Sequence, residues 1–177
     1  MASAFGHAII AVSIKTGFPQ KHFTPRVLLV GVCCTILPDI DVLAFKFGIA
    51  YGSFWGHRGF SHSILFALLI GVICATLFSI KKGNWKSLIL LWSYFFICTA
   101  SHALLDSMTN GGLGVAFFSP WDNTRYFLPW RPIAVSPIGA ARFFSARGLE
   151  VLKSEAIWIG IPSLIFWGIT YISFKRK

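Results

Sequence analysis

The chain has only five histidines and six acidic residues among 177, and most of them fall into three short motifs. Leu37-Pro38-Asp39-Ile40-Asp41 sets two carboxylates two residues apart at the end of an apolar run. His57-Arg58-Gly59-Phe60-Ser61-His62-Ser63 opens another run, and Ser101-His102-Ala103-Leu104-Leu105-Asp106 places an imidazole and a carboxylate four apart. On a helix, residues i and i+4 share one face. Gly59 supplies the turn needed for two imidazoles to face one point, and Ser61 or Ser63 can cap the helix that follows. Imidazole with carboxylate is the donor set of Zn²⁺, Mn²⁺ or Fe²⁺, and the absence of Cys from these motifs argues against a structural zinc knot. With His7 there are seven candidate ligands: His7, Asp39, Asp41, His57, His62, His102 and Asp106. That exceeds the need of one four-coordinate zinc, so a two-metal site and a one-metal site with supporting carboxylates both remain open. Any one motif alone reads equally as a turn, a cap or a structural hydrogen bond. His7 alone reads equally as a core histidine.

The elements that must position these residues are membrane helices. The chain is 55% hydrophobic and 12% charged, with a mean hydropathy of +0.69. A soluble domain of this size could not hide that much apolar surface. Ser63–Ile80 and Trp85 to about Leu105 predict two full spans, and Ala156–Phe174 a third with a kink at Pro162. Ala2–Ile14 and Val27–Leu37 are shorter and predict half-spans or tilted helices. The expectation is an all-α, polytopic helical bundle of about five membrane-embedded helices forming a single domain over 1–177. Residues 107–154, rich in Gly, Pro, Trp, Phe and Arg, form an ordered cap between the fourth and fifth helices. Cys33, Cys34, Cys74 and Cys98 lie in apolar runs and read as small buried hydrophobes.

A formal charge of +10 raises the question of nucleic acid. The basic residues sit between apolar runs rather than along one polar face, so topology explains them and no nucleic-acid partner is expected. Placing Lys175, Arg176 and Lys177 in the cytoplasm threads Lys15, Lys21, Arg26, Lys81, Lys82 and Lys86 to the same side, nine of 16 basic residues with no acid among them. His22, in the same basic loop, reads as solvated. All six acids, Asp39, Asp41, Asp106, Asp122, Glu150 and Glu155, then fall on the outer side with the histidine motifs. Arg58 can bind a phosphate in bidentate fashion or form a salt bridge with Asp39 or Asp41. Glu155 begins the last predicted helix, where it suits the helix dipole or serves as a general base. In the cap, Asp122, Arg125, Arg131 and Arg142 are candidates for binding a lipid head group.

The helical His7, Leu-Pro-Asp-Ile-Asp at 37–41, His-Arg-Gly-Phe-Ser-His-Ser at 57–63, and Ser-His-x-x-x-Asp at 101–106 followed by Thr109 and Gly111 resemble the YdjM family. Its members are bacterial inner-membrane proteins described as predicted metal-dependent hydrolases. The resemblance runs from His7 to about Pro162, and its cap elements include Phe118–Tyr126, Ser136-Pro-Ile-Gly and Ser154-Glu155. It implies a multi-span bundle in the inner membrane. It also implies a metal site on His57, His62, His102, Asp106, Asp39 and Asp41, with His7 and Glu155 behind them. The leading expectation is metal-assisted hydrolysis of a lipid-linked ester or phosphoester, with one or two divalent ions, zinc foremost, and membrane lipid as substrate or environment. The alternative is a non-catalytic metal-binding membrane protein that handles or senses the ion.

Overall fold

The computed structural model describes residues 1–79 and 84–175, and the elements named below lie within them. Of the basic segments above, Lys81, Lys82, Arg176 and Lys177 lie outside the described residues. Five apolar helical stretches make the bundle. Helix α1 spans Ala4–Thr16, and α2 spans Pro25–Ile36 and continues without a break as a 3₁₀ helix over Leu37–Phe47. Helix α3 covers Ile64–Ser79 and α4 covers Trp85–Ser107. After a cap without strands come the short α5 (Ala140–Phe143) and α6 (Ala146–Glu155), a π-helical turn at Ala156–Gly160, and α7 (Ile161–Lys175). Local signals set the starts: Ser3 accepts from the Gly6 amide, Thr24 from Val27 ahead of Pro25, and Asn84 from Lys86.

Among the described residues, three helical stretches are long and apolar enough to cross a membrane: Pro25–Phe47, Trp85–Ser107 and Ala146–Ser173, of 23, 23 and 28 residues. Trp85–Ser107 and Ala146–Ser173 correspond to two of the three predicted full spans, and Pro25–Phe47 is a further one. Val27–Leu37, predicted as a half-span or tilted helix, is part of a longer stretch: Pro38 at the start of the 3₁₀ segment only tightens the helix, which ends at Gly48 with φ 74. Helix α3 is described over the 16 residues Ile64–Ser79, and Ile80, the end of the predicted span Ser63–Ile80, lies outside the described residues. The last helix begins ten residues earlier than Ala156, so Glu155 lies within a continuous helical stretch and not at its start. Its irregularity is the π turn just before Pro162, whose ring would otherwise crowd the preceding turn.

Helix α4 is the shared partner, packing on α1, α2 and α3 and burying Leu91, Tyr94, Phe95 and Cys98. Two glycines permit this closeness: a Cβ on Gly31 would meet the Tyr94 hydroxyl at 2.3 Å, and one on Gly71 would meet the Phe96 backbone at 3.1 Å. Leu29, Ile73, Leu77, Ile89 and Leu164 face outward, the apolar belt a bilayer covers. Cys33 joins that outer face, unlike the expected buried position, while Cys34 and Cys98 are buried. Among the described basic residues, Lys15, Lys21, Arg26 and Lys86 lie at helix ends opposite to those carrying Asp39, His62 and Asp106.

Gly31→Val should overpack the α2–α4 contact and lower the detergent-solubilised protein's stability by about 1–3 kcal/mol. Thermal unfolding of Gly31→Val alone and with Tyr94→Ala checks this. The double variant should recover part of the loss.

Candidate metal centre

Four helix ends meet where the acidic residues collect. Helix α1 brings His7 in its first turn, the 3₁₀ extension of α2 brings Asp39 and Asp41, and the turn before α3 brings His57 and His62. The last turns of α4 bring His102 and Asp106. A 3₁₀ helix has three residues per turn, so positions two apart point in directions about 120° apart. Asp39 therefore faces the bundle axis with His102, while Asp41 faces the segment that carries His57 and His62.

At the axis, one ligand atom each from Asp39, His62, His102 and Asp106 lies within 4.8 Å of the others, and all four residues are buried. The Nε2 atoms of His62 and His102 are 2.9 Å apart. Asp39 Oδ1 lies 3.3 Å from the His102 Nε2 and 3.8 Å from that of His62, and Asp106 Oδ2 lies 3.9 and 3.6 Å from them. Hydrogen bonding at the far side of each ring decides what these atoms offer. His102 Nδ1 must donate to the Thr35 carbonyl at 2.7 Å, because a carbonyl only accepts. His62 Nδ1 faces Asp41 Oδ2 at 3.1 Å. In neutral imidazoles each Nε2 then presents a lone pair, and Asp39 Oδ1 is buried without a hydrogen-bond partner. His62 Nε2, His102 Nε2 and Asp39 Oδ1 converge with Asp106 Oδ2, which also accepts from Arg58 Nε at 3.0 Å, and this donor set fits a cation. Burial alone would lower the His62 pKa, but Asp106 and Asp41 outweigh it and raise it to about 9, so a metal ion bound at Nε2 would displace a proton from this ring.

Asp41 is placed differently. Its Oδ1 meets His57 Nδ1 at 2.6 Å, and its Oδ2 accepts from the Arg58 amide at 3.0 Å and the Ser61 hydroxyl at 2.6 Å as well as facing His62. Asp41, His57 and His62 also bring ligand atoms within 4.8 Å of one another. However, a carboxylate engaged by so many donors is the geometry of a group that orients a ligating histidine. Burial keeps the His57 pKa low despite Asp41. His7 stacks on His102 at 3.9 Å between centroids, and its Nε2 lies 3.6 Å from Asp106 Oδ1. Both its ring nitrogens are buried without partners.

Arg58 pairs with neither Asp39 nor Asp41 through its guanidinium. Fully buried, it donates from Nε to Asp106 Oδ2 at 3.0 Å, and from its terminal nitrogens to the Gly111 carbonyl and Thr109 hydroxyl at 2.9 Å each. In this turn Arg58, with φ 63, takes the left-handed conformation, while Gly59 has φ −84. Gly59 is needed for space, since a Cβ there would lie 2.2 Å from the Phe54 carbonyl oxygen. Ser63 caps α3 through the Phe66 amide at 3.0 Å. Glu155 stands apart from the four-ligand cluster and accepts from the amide and hydroxyl of Ser3, fixing the start of α1. In the cap, Arg125 donates to the carbonyls of His57, Tyr51 and Ser53 at 2.7, 2.9 and 3.1 Å, clamping the segment behind His57. Asp122 is partly exposed and accepts from Thr124 and Tyr126 of its own turn. Arg131 lies over Phe127, and both it and Arg142 are exposed.

The Thr35 carbonyl, Ser3, the Arg125 clamp and the Arg58–Asp106 pair were not read from the sequence. Ser3, three residues before Gly6 at the head of an apolar helix, carried a capping signal. The other three depend on contacts between distant segments.

Elemental analysis of the purified protein should find bound divalent metal that falls to background in His62→Ala and His102→Ala. Asp41→Asn should keep the site but weaken metal affinity about 10–100-fold, measured by competition with a chelating dye.

The YdjM inner membrane protein family matches the chain over residues 1–177. Inner membrane protein YbcI of Escherichia coli (strain K12) is 38% identical over 171 residues, covering 97% of this chain and 98% of that protein. No solved structure matches the chain. The apolar helices and this relative together identify a multi-pass inner membrane protein. With its histidine and aspartate motifs inside a match that runs the length of the chain, the protein belongs to the YdjM inner membrane protein family.

Proposed function

We propose that the protein is a membrane-bound metal-dependent hydrolase acting on a lipid-linked ester or phosphoester. The observation that carries the reading is the convergence of Asp39, His62, His102 and Asp106 as buried acceptors with Asp39 Oδ1 unpartnered. A mixed imidazole–carboxylate set without thiolate is the type found in catalytic rather than structural zinc sites, and it also suits Mn²⁺ or Fe²⁺. When bound, a divalent ion supplies Lewis-acid polarisation of a substrate oxygen and an acidified water at neutral pH.

The chain's own groups divide the remaining work. Asp39, His62, His102 and Asp106 hold one ion, Asp41 and His57 orient His62, and Arg58 offsets part of the Asp106 charge. Glu155 is the candidate general base, and acting as one requires its carboxylate to exchange a Ser3 hydrogen bond for a water proton. His7 is its rival, because its nitrogens are buried and unpartnered beside Asp106. Arg131 and Arg142, both exposed in the cap, are the head-group candidates, since Arg125 and Arg58 are fully engaged. The asymmetry of charge between the helix ends supports an outward-facing site with a cytoplasmic C-terminus. A second reading, a metal-handling or sensing protein without turnover, is favoured by the full engagement of Glu155 with Ser3.

Purified protein in nanodiscs, assayed for fatty-acid and phosphate release across a phospholipid panel with and without chelator, tests the reading. Chelator-sensitive release that disappears in His62→Ala together with the metal is expected, and turnover retained in that variant would overturn it. Metal bound without release from any lipid selects the second reading. Loss of turnover with metal retained in Glu155→Gln, but not in His7→Ala, assigns the base to Glu155. For the topology, a C-terminal fluorescent-protein fusion should be bright and a C-terminal alkaline phosphatase fusion inactive.

A further inference from the structure

The ligands of the centre are sealed: the side chains of His7, His62, His102 and Asp106 have no exposure, while Asp39 and Asp41 keep 8% and 7%. The remaining access is therefore on the side of the 3₁₀ extension. There a groove of about 430 Å³ runs along Leu37–Phe47 and across to the start of α3, with Leu37, Ala44, Trp55 and Phe66 in its walls. Two of its lining residues, Asp41 and Ser61, are polar and belong to the centre, and the Ser61 hydroxyl lies 3.0 Å from His62 Nδ1. The long wall belongs to the candidate span Pro25–Phe47. Trp55, 64% exposed, stands among its lining residues, the kind of aromatic that sits at a membrane interface. The volume falls in the range of about 300–1,000 Å³ seen for small-molecule pockets.

Resting on the hydrolase reading for what happens at the centre, we infer that the substrate enters sideways from the bilayer. One acyl chain of a phospholipid lies in the groove, and the ester end of that chain stops at Asp41 and Ser61, with the head group beyond them. Apolar walls that lead to two hydrogen-bonding residues match an amphiphile's sequence of tail, then head. A second and wider apolar groove of about 610 Å³ lies between α1 and α7, with Val12 and Leu164 in its walls. It contains none of the clustered ligands, and it serves as the internal control.

The test is photolabelling of the full chain in nanodiscs with a trace of phosphatidylethanolamine bearing a diazirine midway along one acyl chain. Labelled peptides are located by mass spectrometry. Labelling should concentrate on residues 37–49 and 61–66, fall sharply in Ala44→Trp, and persist in Val12→Trp. Labelling spread evenly over the apolar belt, centred on the α1–α7 groove, or indifferent to Ala44→Trp would overturn the inference. Metal content equal to that of the unsubstituted protein shows that Ala44→Trp has folded with its centre intact. Phospholipid turnover should then fall about tenfold, the weight of roughly two methylene contacts. If the labelling pattern holds while no lipid is hydrolysed, the groove stands and the hydrolase reading fails. If lipid is hydrolysed equally well by Ala44→Trp, the groove fails and that reading stands.

Discussion

Two imidazole lone pairs and two carboxylates point at one buried place, with the His62 and His102 Nε2 atoms 2.9 Å apart. Away from water, such a set of acceptors repels itself unless positive charge stands among it. Much of the surrounding architecture follows from that constraint. Arg58 is buried whole against Asp106 and held in a left-handed conformation that few non-glycine residues adopt. The Thr35 carbonyl and Asp41 fix the far sides of the two rings so that their Nε2 atoms face inward. Arg125 in turn holds the carbonyls on the segment leading to His57, which brings the cap into the support of the centre.

The bundle delivers these groups through helix ends. Because successive helices run in opposite directions, a ligand at the start of α1, the end of α2, the start of α3 and the end of α4 all arrive at one level. The tight α2–α4 and α3–α4 approaches, made possible by Gly31 and Gly71, bring Asp39 and His62 close enough to His102 to share a cation. The shift of α2 into a 3₁₀ helix at Pro38 separates the roles of Asp39 and Asp41, one facing the ion position and the other a histidine.

Much of this could be read from residue order. The three motifs name the clustered residues because an isolated charge in an apolar run is costly, so each one needs a nearby partner. The count of apolar helices was also legible. What the sequence hid was continuity: Pro38 and Asp41 look like a helix end, but a 3₁₀ helix tolerates both and extends the span. Glu155 looked like a helix start because the apolar run begins beside it, whereas the polar α6 leads into it from the cap side. The partner of Arg58 was hidden too, since Asp39, Asp41 and Asp106 are equivalent acids in sequence and only the fold chooses Asp106. Asp41 shows the same limit. Spacing makes it a ligand candidate equal to Asp39, and only the fold shows that it accepts from Ser61 and meets His57.

The central claim is that two histidines and two aspartates, without cysteine, hold a divalent ion. X-ray absorption spectroscopy on the zinc-loaded protein addresses it most directly. The account predicts a first shell of nitrogen and oxygen at about 2.0–2.2 Å with the outer-shell scattering of two imidazoles. A sulfur shell at about 2.3 Å, or oxygen scattering with no imidazole signature, would contradict it.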